Sequence, residues 1–245
     1  MRVLIANDDG IGAPGLALLA AAVDRLTDDV WTVAPDAKRT AAGHSLTVAR
    51  PLRMHRLGPQ RYSCSGTPAD CVVAAMTWLF RDADAPDLVI SGVNDGPNVA
   101  EDIAYSGTLA IAREASFWGL PAIGLSRVKN ADVQETDAGR LADLIESLWE
   151  RRRDWYVEGS WLSLNLPQRI PAAVRQPRIG RDKIARESRV VSRTDNMTEL
   201  VVPRGRAHAS VAGDENSLLA QGFITLSRLR WSMEQRLDDT LLERL

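Results

Sequence analysis

Cysteine is nearly absent from this chain: Cys64 and Cys71 are the only two in 245 residues. They flank the Gly66-Thr67-Pro68 turn with no metal-ligand pattern around them, so they read as reduced packing thiols of a cytoplasmic protein. An excess of either charge is missing too. Thirty basic against 32 acidic residues leaves a net charge of −2, which offers nucleic acid and membranes no field to follow. Arginine is dense between Arg175 and Arg206, but acids are interspersed there, as on a solvated or interface surface. No apolar run is long enough to cross a bilayer, and no cleavage-site pattern follows the first residues. The expectation is a soluble, cytoplasmic protein without membrane or nucleic-acid partners. No Gly-rich loop ends in GK[ST], and no G-x-G-x-x-G follows the first apolar run, so two nucleotide-binding signatures are missing. Internal repeats and low-complexity tracts are absent as well.

What is present is an ordinary globular composition, 45% hydrophobic and 25% charged, in a length that suits one large α/β domain or a main domain with an appendage. The opening segment MRVLIANDDGIGAPG is the most informative. Val3–Ala6 is an apolar run without alternation, the pattern of a strand covered on both faces of a parallel sheet. It ends in Asn7-Asp8-Asp9-Gly10, and Gly10 and Gly12 let the backbone turn at once. Adjacent carboxylates repel unless a cation neutralises them, which points to a divalent metal on hard oxygen ligands. A strand end with a helix cap has the same residues, and the pair alone does not decide between the two.

The order of elements is strand and helix in alternation. Pro14 opens a helix with Leu16, Leu19, Val23 and Leu26 on one face. Val30–Ala34 is a second strand, followed by a polar loop over 36–45 and a hairpin-like segment to Tyr62. Thr67-Pro68-Ala69-Asp70 starts a helix, Thr67 as N-cap and Asp70 reaching back, with Val72, Met76 and Leu79 buried. Leu88–Ser91 is a strand leading into a Gly/Asn-rich loop over 92–98, and Ser106-Gly107-Thr108 opens the next helix. Ala122–Leu125, a helix over 136–152 and Trp161–Leu166 complete the alternation, which predicts a parallel sheet with helices on both faces. After Pro167 come short β-like runs (Val190-Val191, Leu200–Val202), a strand at Phe223–Leu226 and a terminal amphipathic helix carrying Leu237, Leu241, Leu242 and Leu245.

Three loops can join Asp8 and Asp9 at one edge of that sheet. The loop from Arg39 to Ser45 offers hydroxyls, a glycine turn and His44. Ser91 to Asn98 offers amide oxygens, and Tyr105-Ser106-Gly107-Thr108 offers a helix start whose free N–H groups and hydroxyls hold anions. Each loop alone is ordinary turn or cap chemistry. Together they supply carboxylates for a metal and donors for a phosphate, the requirements of metal-assisted phosphoryl chemistry.

The stretches NDDGIGAPG, VAPDAKRTAAGHSLT, SGTPADCV, SGVNDGPN followed by DIAYSGT, LNLP and GFITL occur in this order along nearly the whole chain. The chain thereby resembles the SurE family of stationary-phase survival nucleotidases, metal-dependent phosphatases of nucleoside monophosphates. The resemblance implies a Rossmann-like α/β sandwich with a mostly parallel sheet over 1–167. It also implies a β-hairpin and helix extension over 168–245 that exchanges segments in homodimers or homotetramers. It implies one Mg²⁺ or Mn²⁺ on Asp8, Asp9, Thr40 and Asn94, and phosphate contacts from Asn98 and Ser106-Gly107-Thr108. Gly43, His44 and Ser45 would line the same pocket. Asp8, Asp9, Asn98 and Ser106 would be catalytic, with His44 either a proton donor to the leaving oxygen or a structural loop residue. Three departures stand out: Thr40 where the family has Ser, Ala100 near a usual Gly, and Thr225-Leu226-Ser227 where the family reads Thr-Pro. An aspartyl-phosphate route is disfavoured because Asp8 and Asp9 are adjacent rather than spaced Asp-x-Asp. The non-enzymatic alternative is a metal-dependent nucleotide-binding module without turnover.

Overall fold

In the computed structural model, which describes residues 1–181, 187–202 and 210–232, the opening apolar run is β1 (Val3–Ala6), buried throughout. Its side chains alternate between two cores. Val3 and Ile5 pack with Leu16, Leu19 and Val23 of helix α1 (Pro14–Val23). Leu4 and Ala6 pack on the opposite face with Val33 of β2 (Val30–Pro35). A hairpin of β3 (Met54–Gly58) and β4 (Arg61–Cys64) follows, then α2 (Pro68–Ala74), which runs on into a π-helical turn, Ala75–Leu79. The Thr67–Asp70 capping box forms as its spacing predicts. Val72 is fully buried, whereas Met76 and Leu79 lie on the π-turn and are half-buried.

The chain continues through β5 (Leu88–Asp95), α3 (Asp102–Tyr105), α4 (Gly107–Phe117), β6 (Ala122–Arg127), α5 (Asp137–Glu150), α6 (Arg152–Trp155) and β7 (Ser160–Leu166). Beyond them lie β8 (Val174–Arg175), β9 (Arg189–Arg193), β10 (Thr198–Val201), α7 (Glu215–Ala220) and β11 (Ile224–Arg230). Nine strands form one sheet in the order β3-β4-β2-β1-β5-β6-β7-β11-β8. From β4 to β7 every pairing is parallel. Helices α1 and α5 cover one face and α2 and α4 the other. The fold is therefore α/β with a mostly parallel sheet. Because β2 lies on one side of β1 and β5 on the other, a crevice opens beyond their carboxyl ends, the ligand position of such sheets.

Strand β5 departs from the expected loop over 92–98. Pairing with β6 slips between Ser91 and Asn94, then resumes with Asn94 opposite Ser126 and Asp95 opposite Arg127. Gly92 makes this irregularity feasible: its φ is +129°, and a Cβ there would lie 2.2 Å from the Leu125 carbonyl oxygen. Gly15 lets α1 approach it, since a Cβ would stand 1.9 Å from the Val93 carbonyl oxygen. The Gly and Asn residues look like a loop in sequence because the pairing that extends the strand is made with distant residues. The short helices α3 and α7 had no periodicity to announce them.

Strand β11 is longer than Phe223–Leu226 and pairs antiparallel with β7, Thr225 opposite Asn165 and Arg230 opposite Ser160. Strands β9 and β10 form a separate two-stranded sheet. The expected terminal helix, with Leu237, Leu241, Leu242 and Leu245, lies outside the described residues. Among the described residues no helix is long and apolar enough to cross a membrane. Cys64 and Cys71 are both buried and free.

Candidate active site

The chain turns sharply where β1 ends because the Asn7 side chain bridges the turn. Its Nδ2 donates to the Gly10 carbonyl at 2.9 Å, and its Oδ1 accepts from the Gly10 N–H at 3.1 Å. Gly10 takes φ +103°. The turn buries Asp8 and leaves Asp9 half-buried. Thr108, fully buried in the first turn of α4, donates its hydroxyl to Asp8 Oδ1 at 2.5 Å. Gly107 allows the approach, since a Cβ there would sit 2.7 Å from Asp8 Cβ. Burial pushes the Asp8 carboxyl up to about 6; the Asp9 carboxylate adds to the rise and the Thr108 bond opposes it. Asp9 is paired instead with the Lys38 ammonium.

The other donors arrive from three elements. Thr40 is exposed on the loop after β2. Asn94 lies just past the irregularity in β5, and its Nδ2 donates to the Gly96 carbonyl at 2.7 Å, which leaves Oδ1 as the free acceptor of the amide. Asn98 is buried, its Nδ2 donating to Ser126 Oγ at 2.7 Å and its backbone N–H to Asn165 Oδ1 at 2.7 Å. Ser106 caps α4, its Oγ accepting the Leu109 N–H at 3.0 Å, so its own hydroxyl proton is free to donate outward. Asp8, Asp9, Thr40, Asn94, Asn98 and Ser106 all line one cavity of about 240 Å³, with Lys38 and Lys129 also on its wall. A second cavity of about 570 Å³ shares Asp9, Lys38, Asn94 and Asp95 with the first and extends along α1.

A family model described as Survival protein SurE matches residues 3–189. The chain belongs to the SurE family. The 5′-nucleotidase SurE of Paramagnetospirillum magneticum is 36% identical over 256 residues, covering 99% of this chain and 95% of that protein. That of Azorhizobium caulinodans is 35% identical, covering 100% and 97%. The crystal structure of the SurE protein from Aquifex aeolicus superposes with a TM-score of 0.79 at 28% identity, covering 100% of this chain and 98% of that one. The sheet and its extension are thus those of a SurE fold.

Five of the residues that the family resemblance indicates stand away from the smaller cavity. Thr108 faces inward to Asp8, and Gly107 is buried beside it. Gly43 donates its N–H to the Tyr105 carbonyl at 3.0 Å. Ser45 closes its own turn on the Ala42 carbonyl at 2.9 Å, and its carbonyl accepts from Thr67. His44 Nε2 lies 2.7 Å from Glu114 Oε2, and its ring stacks on Phe117 at 5.2 Å. Gly43, His44 and Ser45 thus tie the Thr40 loop to α3, α4 and the N-cap of α2, while Gly107 and Thr108 pack on Asp8. Residues that the sequence reading gave no role also shape the site. Asn165, a polar residue inside a buried strand, and Ser126 hold Asn98; Lys38 and Lys129 bring positive charge. Asn165 and Lys38 fall in the LNLP and VAPDAKRTAAGHSLT stretches, and Asn165 is also a polar amide in the apolar run that becomes β7.

Among the described residues no cluster of three or more His, Cys, Asp or Glu side chains is placed to hold a metal. A metal here depends on the Thr40 hydroxyl and the Asn94 amide oxygen beside the two carboxylates. That all-oxygen set fits a hard divalent cation that keeps several waters.

Proposed function

We propose that this chain is a phosphomonoesterase that hydrolyses nucleoside 5′-monophosphates to nucleoside and phosphate, with 3′-monophosphates as a second substrate set. One Mg²⁺ or Mn²⁺ would be held by Asp8, Asp9, Thr40 and Asn94. The observation that carries the reading is the shared cavity at the crevice between β1 and β5, where these four residues face Asn98 and Ser106. Relatives that carry the name 5′-nucleotidase over nearly their full length support the reaction class. A bound cation would polarise the phosphate and acidify water.

The chain's own groups do the rest. Asp9, the more exposed of the two acids, orients the attacking water and takes its proton, and the nucleoside oxygen is protonated from solvent as its bond to phosphorus breaks. Ser106 donates its free hydroxyl proton to a phosphoryl oxygen, and Asn98, held rigid by Ser126 and Asn165, donates its remaining amide N–H. Lys38 and Lys129 offset the charge of the phosphate, so positioning and electrostatics dominate. His44, engaged with Glu114, is left out of proton transfer and positions the Thr40 loop.

The test is phosphate release from 5′- and 3′-mononucleotides with Mg²⁺, Mn²⁺ or chelator. Activity should need the metal, and Asp8→Asn and Asp9→Asn should each lower kcat at least a hundredfold while the circular dichroism spectrum is kept. Near-normal turnover in both variants overturns the site; nucleotide binding without release favours the non-catalytic module.

We also assign the extension over 168–245 to homo-oligomer assembly, as dimer or tetramer. In the β9–β10 hairpin Val190, Val191, Leu200 and Val201 are all exposed, although an isolated two-stranded hairpin is marginal in water. Val191→Asp with Leu200→Asp should lower the mass seen by light scattering; an unchanged mass counts against the assignment. Two free, buried thiols support a cytoplasmic location.

A further inference from the structure

The two cysteines, which the catalytic chemistry leaves idle, converge on one turn. Cys64 ends β4 and Cys71 lies in α2, both fully buried in the same core cluster. The Cys64 sulfur accepts the Gly66 N–H at 3.3 Å, and the Cys71 thiol donates to the Thr67 carbonyl at 3.4 Å. Gly66 and Thr67 are neighbours, so the turn between strand and helix gathers both sulfurs. The Cys71 thiol also hydrogen-bonds the Cys64 sulfur.

The pair is chemically unequal. The bond from Cys71 lowers the Cys64 pKa, helped by the Gly66 N–H, whereas burial holds the Cys71 thiol well above the usual range. Cys64 is the better thiolate, and thiolates are what peroxides oxidise. Burial also selects the product. A bulky thiol such as glutathione does not reach either sulfur, while each sulfur already has the other beside it.

The same turn anchors both ends of the loop that bears Thr40. Where the loop begins, the Asp36 N–H donates to the Cys64 carbonyl at 2.8 Å. At its far end the Thr67 hydroxyl donates to the Ser45 carbonyl at 2.6 Å, and Asp70, the residue before Cys71, binds Thr47. A covalent bond between sulfurs that are in hydrogen-bond contact draws β4 and α2 together. It thereby shifts one anchor of the loop against the other.

We propose that Cys64 and Cys71 form an oxidation site, which a hydroperoxide converts to a reversible disulfide that displaces Thr40 and lowers turnover. Local opening of the turn admits hydrogen peroxide. The Cys64 thiolate attacks one peroxide oxygen and breaks the O–O bond, which leaves a sulfenic acid and, after proton uptake, water. The Cys71 sulfur then attacks the Cys64 sulfur and expels the sulfenic oxygen, which leaves with the Cys71 proton as a second water. Two thiols and one peroxide thus give a disulfide and two waters, and a dithiol reductant reverses the bond. The disulfide stands apart from the phosphomonoesterase reading; its effect on turnover rests on that reading.

The test exposes the full chain to hydrogen peroxide, then counts thiols in denaturant, maps peptide masses and measures phosphate release. Wild type should pass from two thiols to none, with Cys64 and Cys71 cross-linked, and release should fall at least fivefold. Dithiothreitol should restore both. Cys64→Val, which keeps the core apolar, should turn over like the reduced wild type and keep its rate after peroxide. In Cys71→Ala, dimedone should trap a sulfenic acid at Cys64, and in Cys64→Val it should trap none at Cys71. Two thiols surviving the peroxide, or a dimedone label confined to Cys71, overturns the site. A cross-link with unchanged release, or an equal loss of rate in Cys64→Val, overturns the switch. If the cross-link forms but the reduced wild type releases no phosphate, the disulfide stands and the phosphomonoesterase reading falls.

Discussion

Asp8 sits where its charged form is disfavoured. Its carboxyl is buried, neighbours another carboxylate and has one strong donor, Thr108, so its pKa is lifted from 3.8 to about 6. At low pH both folded and unfolded chains carry it neutral, and no penalty arises. As pH rises through the unfolded value and on to about 6, the unfolded chain loses its proton first, and folding becomes less favourable. The chelated protein should therefore lose stability between pH 4 and 7. Asp8→Asn, which still accepts from Thr108, should raise the Tm at pH 7 but not at pH 4. Thermal unfolding in chelator at the two pH values checks this, and an equal shift at both would remove the electrostatic explanation. Ala100 shows a second kind of strain: it stands at φ +52°, left-handed backbone that costs a residue with a Cβ about 1–2 kcal/mol. The loop beside Asn98 thus carries backbone strain at Ala100.

At the scale of elements, the edge that carries the site is braced by polar contacts made far along the chain. Arg127, at the end of β6, and Asp137, the first residue of α5, form an ion pair at 2.7 Å with both side chains almost wholly buried. The Gln134 N–H also donates to Asp137. Truncating one partner of a buried pair strands the other, so Asp137→Ala should cost about 3–5 kcal/mol in urea unfolding; a loss under 1 kcal/mol would mean that Arg127 finds other partners. Asp70 illustrates what spacing reveals and what it conceals. The capping box with Thr67 follows from the TPAD motif. The same carboxylate also accepts the N–H and hydroxyl of Thr47, at 2.9 and 2.7 Å, and so ties the loop bearing Thr40 to α2. That second duty joins residues with no regular spacing between them.

Across the whole molecule, the extension reaches back to the site through Glu215. This buried carboxylate accepts the Ala100 N–H at 3.3 Å and the Gly180 N–H at 2.7 Å, joining α7, the loop after Asn98 and the segment after β8. Burial raises its pKa, with its two backbone donors opposing. Glu215→Ala leaves both N–H groups without an acceptor and should cost about 1–3 kcal/mol. It should also lower kcat/KM by loosening Asn98. Unfolding midpoints and turnover measured together check the link, and a stability loss with unchanged kcat/KM would confine Glu215 to a structural role.

The strand–helix alternation, both capping residues Thr67 and Ser106, and the Asp8–Asp9 turn follow from the sequence by itself, because local periodicity and turn chemistry express themselves in neighbouring residues. Only the tertiary structure decided that β5 continues past Gly92, that Thr108 supports Asp8 instead of facing the cavity, and that His44 is turned onto Glu114. It likewise decided that Asn165 and Glu215 hold the loop around Asn98. Each of these depends on a close approach or hydrogen bond between segments remote in the chain, and such pairings leave no periodic trace in the order of residues.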